Sequence, residues 1–213
     1  MSRSTVCEDP LAREPGDRRE TILDSAAALF ARKGVAATTV RQIADDVGIL
    51  SGSLYHHFDS KEAMVDEILS SFLRDLNDRY TKVLAQKTDA RVRLHDLVMA
   101  SLEVVEAHPH AAEIYQNDLN YLLGIERFSY LRNAGRQVQD AWLTVIDAGV
   151  AEGVFRGDLD SKIVYRLMRE AIWLSVRWFK PSRAYPIAKL AGDATSLFLD
   201  GLTAETAGPP DRA

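Results

Sequence analysis

Thr38-Thr-Val-Arg-Gln-Ile-Ala-Asp-Asp-Val-Gly-Ile-Leu-Ser-Gly-Ser-Leu-Tyr-His-His-Phe-Asp-Ser-Lys61 is the stretch that decides the fold. It reads as two short helices crossing steeply. Ala44, Gly48 and Leu54 have the spacing of a helix-turn-helix: a small residue at the crossing, a glycine free to take positive φ at the turn, and an apolar residue pinning the second helix. Val40, Ile43 and Val47 complete the buried stripe of the first helix. The second helix, about Ser51 to His57, is then free to enter a DNA major groove.

Gly52-Ser-Leu-Tyr-His-His-Phe-Asp-Ser-Lys-Glu62 strongly resembles the signature of the TetR family of transcriptional regulators, with its Tyr-x-x-Phe pair and a following Ser-Lys-Glu helix start. Upstream, Ile22, Leu23, Ala26, Leu29 and Phe30 fall at helical spacing, and Gly34 sits where such a helix stops. The resemblance implies an all-α fold, with a three-helix DNA-binding head over residues 18–61 and a ligand-binding and dimerisation body over 62–203. Residues 1–17, with Pro10, Pro15, Gly16 and no periodicity, read as a disordered arm, and 204–213 as a flexible tail.

The chain has 213 residues, 46% of them hydrophobic, enough for a sizeable core. A single cysteine, Cys7, excludes an internal disulfide. The first ten residues lack an apolar signal core, and no apolar run approaches the ~20 residues of a membrane span. A soluble cytoplasmic protein with no membrane partner is expected. The net charge of −5 does not suit a DNA-binding protein at first sight, and the head carries only six basic residues against five acidic. DNA contact must depend on where charges point, and on two subunits acting together.

Apolar periodicity places further helices over Ser60–Leu84, Arg91–Glu106, Ala111–Leu123, Arg127–Glu152, Ser161–Phe179 and Pro186–Leu202, about nine in all. In the head, Ser51, Gly52 and Ser53 allow close approach to bases and phosphates, and His56 offers a bond to a guanine acceptor or a phosphate. Thr39 reads as an N-cap that can hold a phosphate. Arg41 pairs with Asp45 or contacts a phosphate, the two readings standing level. The resemblance implies phosphate contacts for Tyr55 and Lys61, while Phe58 belongs to the head's core. Arg18 and Arg19 stand where they could face phosphates.

In the body, Arg169, Trp173 and Arg177 fall at i, i+4 and i+8 on one helix face. Guanidinium forks suit phosphates or carboxylates and indole faces suit rings, so the face fits an anionic ligand with a flat portion. The plainer reading is ion pairing with Glu170, Asp140, Asp147 or a partner subunit. The runs Ile49–Phe58, Arg127–Tyr130 and Val176–Phe179 are similar to TetR regulators of steroid-ring (cholesterol) catabolism. That resemblance implies release from DNA by coenzyme A thioesters of steroid-derived metabolites, with Arg169 and Arg177 on phosphate or adenine and Trp173 against the ligand. Tyr115, Asp118, Tyr121, Phe128 and Tyr130 are candidates for the acyl end, with core packing as the alternative for each.

His108 and His110 flank a proline at a helix end, where capping or solvent contact outweighs metal binding, and no cluster has metal-ligand spacing. The last two helices, with Ile187, Leu190, Ala191, Ala194, Leu197, Phe198 and Leu202, resemble the family's dimer interface. A homodimer on a palindromic operator is expected, with a small-molecule effector and no cofactor. A neutral lipophilic effector is the second reading. An acyl-CoA enzyme is the third, weakened by the lack of a nucleophile elbow or glycine-rich phosphate loop.

Overall fold

The computed structural model describes residues 15–200, with side chains from 18 onward; among them are nine α-helices and no strand. The expectations for Cys7, most of the arm, Leu202 and the tail lie outside the described residues. Helix α1 (Pro15–Lys33) begins three residues earlier than the arm boundary expected, because proline is well tolerated in a helix's first turn. It ends where Gly34, at φ +85°, turns the chain while its N–H still bonds the Phe30 carbonyl.

Helix α2 (Val40–Asp46) starts on a reciprocal cap: Gln42 N donates to Thr39 Oγ1 and Thr39 N donates to Gln42 Oε1. Gly48, at φ +67°, makes the helix-turn-helix bend. Helix α3 (Ser51–Leu54) is a single turn, shorter than the expected span to His57. Beyond it the bonds tighten to His56 N→Ser53 O and His57 N→Leu54 O, and Phe58 is delivered into the core at 4% exposure. Ile22, Ala26, Phe30, Ile43, Ala44 and Leu54 are fully buried around it.

Helix α4 (Lys61–Leu84) is capped by Ser60, which accepts from Ala63 N. Its 24 residues span about 36 Å, and Met64, Val65, Ile68, Leu69, Phe72, Leu76 and Tyr80 form one buried face. Asp89 caps α5 (Ala90–Ala107) and Asp160 caps α8 (Ser161–Trp173) in the same way. Pro109 both closes α5 and opens α6 (Pro109–Leu122), His108 serving as the cap between them. Helix α7 (Leu131–Ala151) follows a 3-10 turn, and α9 (Ile187–Asp200) closes the described chain.

Helix α5 is the centre of the body, packed by α4, α7, α8 and α9, while α1 of the head leans on α6. One hydrophobic core runs without a break from Ile22 in the head to Ala191 in α9. The helix expected as continuous from Ser161 to Phe179 stops being α-helical at Trp173; Leu174–Arg177 is a 3-10 turn. The tighter winding takes Arg177 off the face that Arg169 and Trp173 share.

Candidate nucleic-acid interface and effector site

Thr39, Arg41, Gly52, Ser53, Tyr55 and His56 of the head are exposed and Ser51 is half-buried. Nothing lies within 4 Å of where a Gly52 side chain would begin, so α3 meets no obstruction from its own chain. Thr39 Oγ1 uses a lone pair in its cap, which leaves the hydroxyl proton to donate outward. The Arg41–Asp45 pair is loose, at 3.9 Å with both side chains largely exposed. Leu50, directly before α3, is 79% exposed and went unnoticed as a candidate, since an isolated leucine between motif positions carries no sequence signal.

Three cations of the head make contacts within the protein. Lys61 donates from Nζ to the carbonyls of Val35 (2.8 Å) and Thr38 (3.1 Å). The loop joining α1 to α2 leaves those carbonyls without helical partners, and the ammonium supplies them. Arg19 pairs with Glu67 of α4 at 2.5 Å and lies over the Phe58 ring. Arg18 donates to the Val47 carbonyl.

The same loop is held from the body. Val35 N donates to Asp118 Oδ1 of α6 at 3.2 Å, so Asp118 faces the head and not an acyl pocket. Its other oxygen is buried without a partner. Burial pushes the Asp118 carboxyl up, against the opposing pull of the Val35 N–H and the Lys61 charge.

Within the body, Trp173 is 2% exposed and packs against Phe72 (5.7 Å between ring centres) and Tyr115 (5.6 Å). The Arg169 guanidinium sits 5.5 Å over the Trp173 ring and pairs with Glu170 at 2.5 Å, as the plainer reading held. Burial raises the Tyr115 and Tyr165 hydroxyls, Tyr165 to about 12, and the Arg169 charge pulls both back. A guanidinium therefore stands beside two phenols and an indole, and Trp173 Nε1 is buried against the Tyr80 hydroxyl. Arg169, Trp173 and Tyr115 are brought together. Arg177 is not; it lies exposed, donating to Asn117 Oδ1.

Tyr130 is also apart, on the α4–α7 side, where burial and the Asp66 carboxylate push its hydroxyl up. Phe128 is buried and Tyr121 exposed. His108 bonds Asp75 of α4 at 3.3 Å. Among the described residues, no cluster of three or more His, Cys, Asp or Glu is suited to a metal, and no helix is long and apolar enough to cross a membrane.

Comparison with known proteins bears on both halves. Residues 22–68 match the model for bacterial regulatory proteins of the tetR family, and residues 87–202 match the tetracyclin repressor-like C-terminal domain. The chain belongs to the TetR family. Among TetR relatives, the chain is 46% identical to the HTH-type transcriptional repressor KstR2 of Rhodococcus jostii, over 87% of this chain and 91% of the relative. It is 43% identical to the repressor of the same name from Mycobacterium tuberculosis, over 92% and 98%. The solved structure of that ketosteroid transcriptional regulator superposes with a TM-score of 0.82, covering 90% of this chain and 98% of that one. As a TetR protein the chain is a DNA-binding transcriptional regulator, and the exposed residues of its head are the candidates for the DNA contact.

Proposed function

We propose that the protein is a homodimeric repressor that leaves a palindromic operator when its body takes up a coenzyme A thioester of a steroid-derived catabolite. The observation that carries this reading is Arg169 drawn over the buried Trp173 ring, beside the Tyr115 and Tyr165 phenols. A cation over a ring face suits an anionic ligand with a flat portion. A neutral lipophile would offer the guanidinium no charge to add to that of Glu170. The relative whose solved structure is named a ketosteroid transcriptional regulator supports the steroid part of the reading.

Dimerisation is supported by the side of the body built from α8 and α9. Ile163, Leu167, Trp178 and Leu197 are all exposed, at 46–64%. An apolar groove of about 250 Å³, lined by Ala171, Ile172, Leu190 and Phe198 among others, also takes in Trp178 and Leu197. Such a face on a solvated protein calls for a partner, and a twofold axis would set two α3 helices about 34–36 Å apart, one DNA turn.

Helix α6 is the route from effector to operator. Gln116 Nε2 bonds the Trp173 carbonyl at 2.8 Å, Asn117 takes Arg177, and Asp118 holds the head's loop at Val35. A ligand that spreads Trp173 from Tyr115 acts on α6, and α6 acts on the loop that begins α2. The ligand must bind better to the conformation whose heads no longer fit the operator. Titrating operator-bound protein with CoA thioesters of steroid-ring fragments, with free CoA and the free acids as controls, tests this. A fall in operator affinity of about 5- to 150-fold is expected for the active thioester. Unchanged affinity across the series overturns the effector reading.

A further inference from the structure

Among the described residues, Leu50 is the most exposed of the large apolar side chains, at 79%. Its place makes this more than an ordinary surface leucine. It occupies the N-cap of α3 with extended backbone (φ −72°, ψ 142°) and makes no side-chain cap bond. At an N-cap, Ser, Thr, Asp or Asn supply an oxygen to the helix, and leucine supplies none. The backbone does not need it either, because the Leu50 carbonyl alone receives Ser53 N and Leu54 N. The head's other large aliphatic side chains are buried or packed against the core, as Leu54, Ile43 and Ile49 are. Leu50 stands at the start of the same exposed stretch as Gly52, Ser53, Tyr55 and His56.

We propose that Leu50 reads sequence by packing on the C5 methyl of a thymine in the operator's major groove. This rests on the assignment of that exposed stretch to DNA. In a helix-turn-helix, residues at the N-terminal end of the second helix meet the base edges. The methyl of thymine is the one apolar group on those edges, so it is the feature an aliphatic chain can distinguish. The neighbouring serine hydroxyls both donate and accept, and so discriminate little; Leu50 supplies the selectivity they lack. Its exposure in the free protein is then the cost of a surface that is covered only on the correct DNA.

The test uses duplexes recovered by binding-site selection from randomised DNA with the full-length protein. Each thymine in the selected site is replaced in turn by deoxyuracil, which removes only the methyl. Affinities are measured for the wild-type protein and for Leu50→Ala, a surface change with no core to disturb. The wild-type protein should lose about 3- to 5-fold per half-site at one symmetric position, the worth of one buried methyl, and about 10- to 20-fold when both halves are changed. Leu50→Ala should bind thymine and deoxyuracil duplexes alike at that position while keeping its sensitivity elsewhere. Equal deoxyuracil losses in both proteins, or no loss in either, overturn the proposal while leaving the DNA assignment intact. Failure to select any duplex would overturn the DNA assignment and the proposal with it.

Discussion

Arg169 shows what residue-level chemistry can decide. Its guanidinium is three-quarters covered and paired with Glu170, yet it faces the Tyr115–Trp173 rings. Replacing it with alanine should weaken thioester binding more than tenfold, since a charge-assisted bond to an anion is worth about 1.5–3 kcal/mol, while operator affinity stays near wild type. Calorimetric titration with the thioester and anisotropy with operator DNA separate the two effects; parallel losses would mean a folding defect. In the head, Tyr55→Phe should weaken all operators alike, by about fivefold for one phosphate hydrogen bond, and His56→Ala should change base preference. Unchanged preference in site selection would remove His56 from the readout. Asp75 gives a pH signature. Burial raises its carboxyl, but Arg79 and His108 more than offset this and hold it below the usual range. A lowered folded pKa means the stabilisation is complete above the ordinary aspartate value of about 3.9 and is lost as pH falls through the folded value. Asp75→Asn should therefore cost up to about 1 kcal/mol at pH 7 in urea unfolding, with the gap closing below pH ~3.9. A gap independent of pH would show that the ion pairs are not its source.

At the scale of helices, what was legible in the sequence was local. Thr39 caps the helix it precedes, Gly34 turns the chain after α1, and Gly48 makes the helix-turn-helix bend. The unread features join distant residues or change helix type. Asp118 reaches Val35 across 83 residues, and Lys61 reaches Val35 across 26, partnerships that only the packing of α6 on α1 and the path of the α1–α2 loop can create. The break at Leu174 was equally hidden, because its apolar residues keep a helical spacing while the winding tightens. That break separates Arg177 from the site and gives Gln116 the Trp173 carbonyl to hold. Helix α6 thus becomes a second path to the head beside α4. Gln116→Ala and Asp118→Ala should each leave operator affinity within about threefold of wild type but reduce the thioester-induced drop to under about fivefold, below the usual range of allosteric coupling. A full thioester response in both variants would return the coupling to α4 alone.

For the whole molecule, the near-balanced charge of the head has a consequence for assembly. Six basic residues face five acidic ones over residues 18–61, and Arg19 and Lys61 are engaged within the protein. One head alone has few cations for phosphates, so monomer binding should be weak and its salt dependence shallow. In the proposed dimer, operator affinity comes from joining two heads, and the exposed Ile163, Leu167, Trp178 and Leu197 are where the joining is expected. Leu167 and Leu197 are 64% and 46% exposed, so charging them disturbs little of the monomer's own core. Leu167→Glu with Leu197→Glu should place like carboxylates across a twofold axis and yield a folded monomer by sedimentation, with an unchanged circular dichroism spectrum. Its operator affinity should fall by 10²-fold or more, the lost effective concentration of a tethered second head being of the order of the avidity gain in bivalent binding. The slope of log affinity against log salt should also fall to about half, because half the phosphate contacts are gone. A double variant that stays dimeric would move the interface off α8 and α9; one that is monomeric yet binds operator normally would mean that a single head suffices.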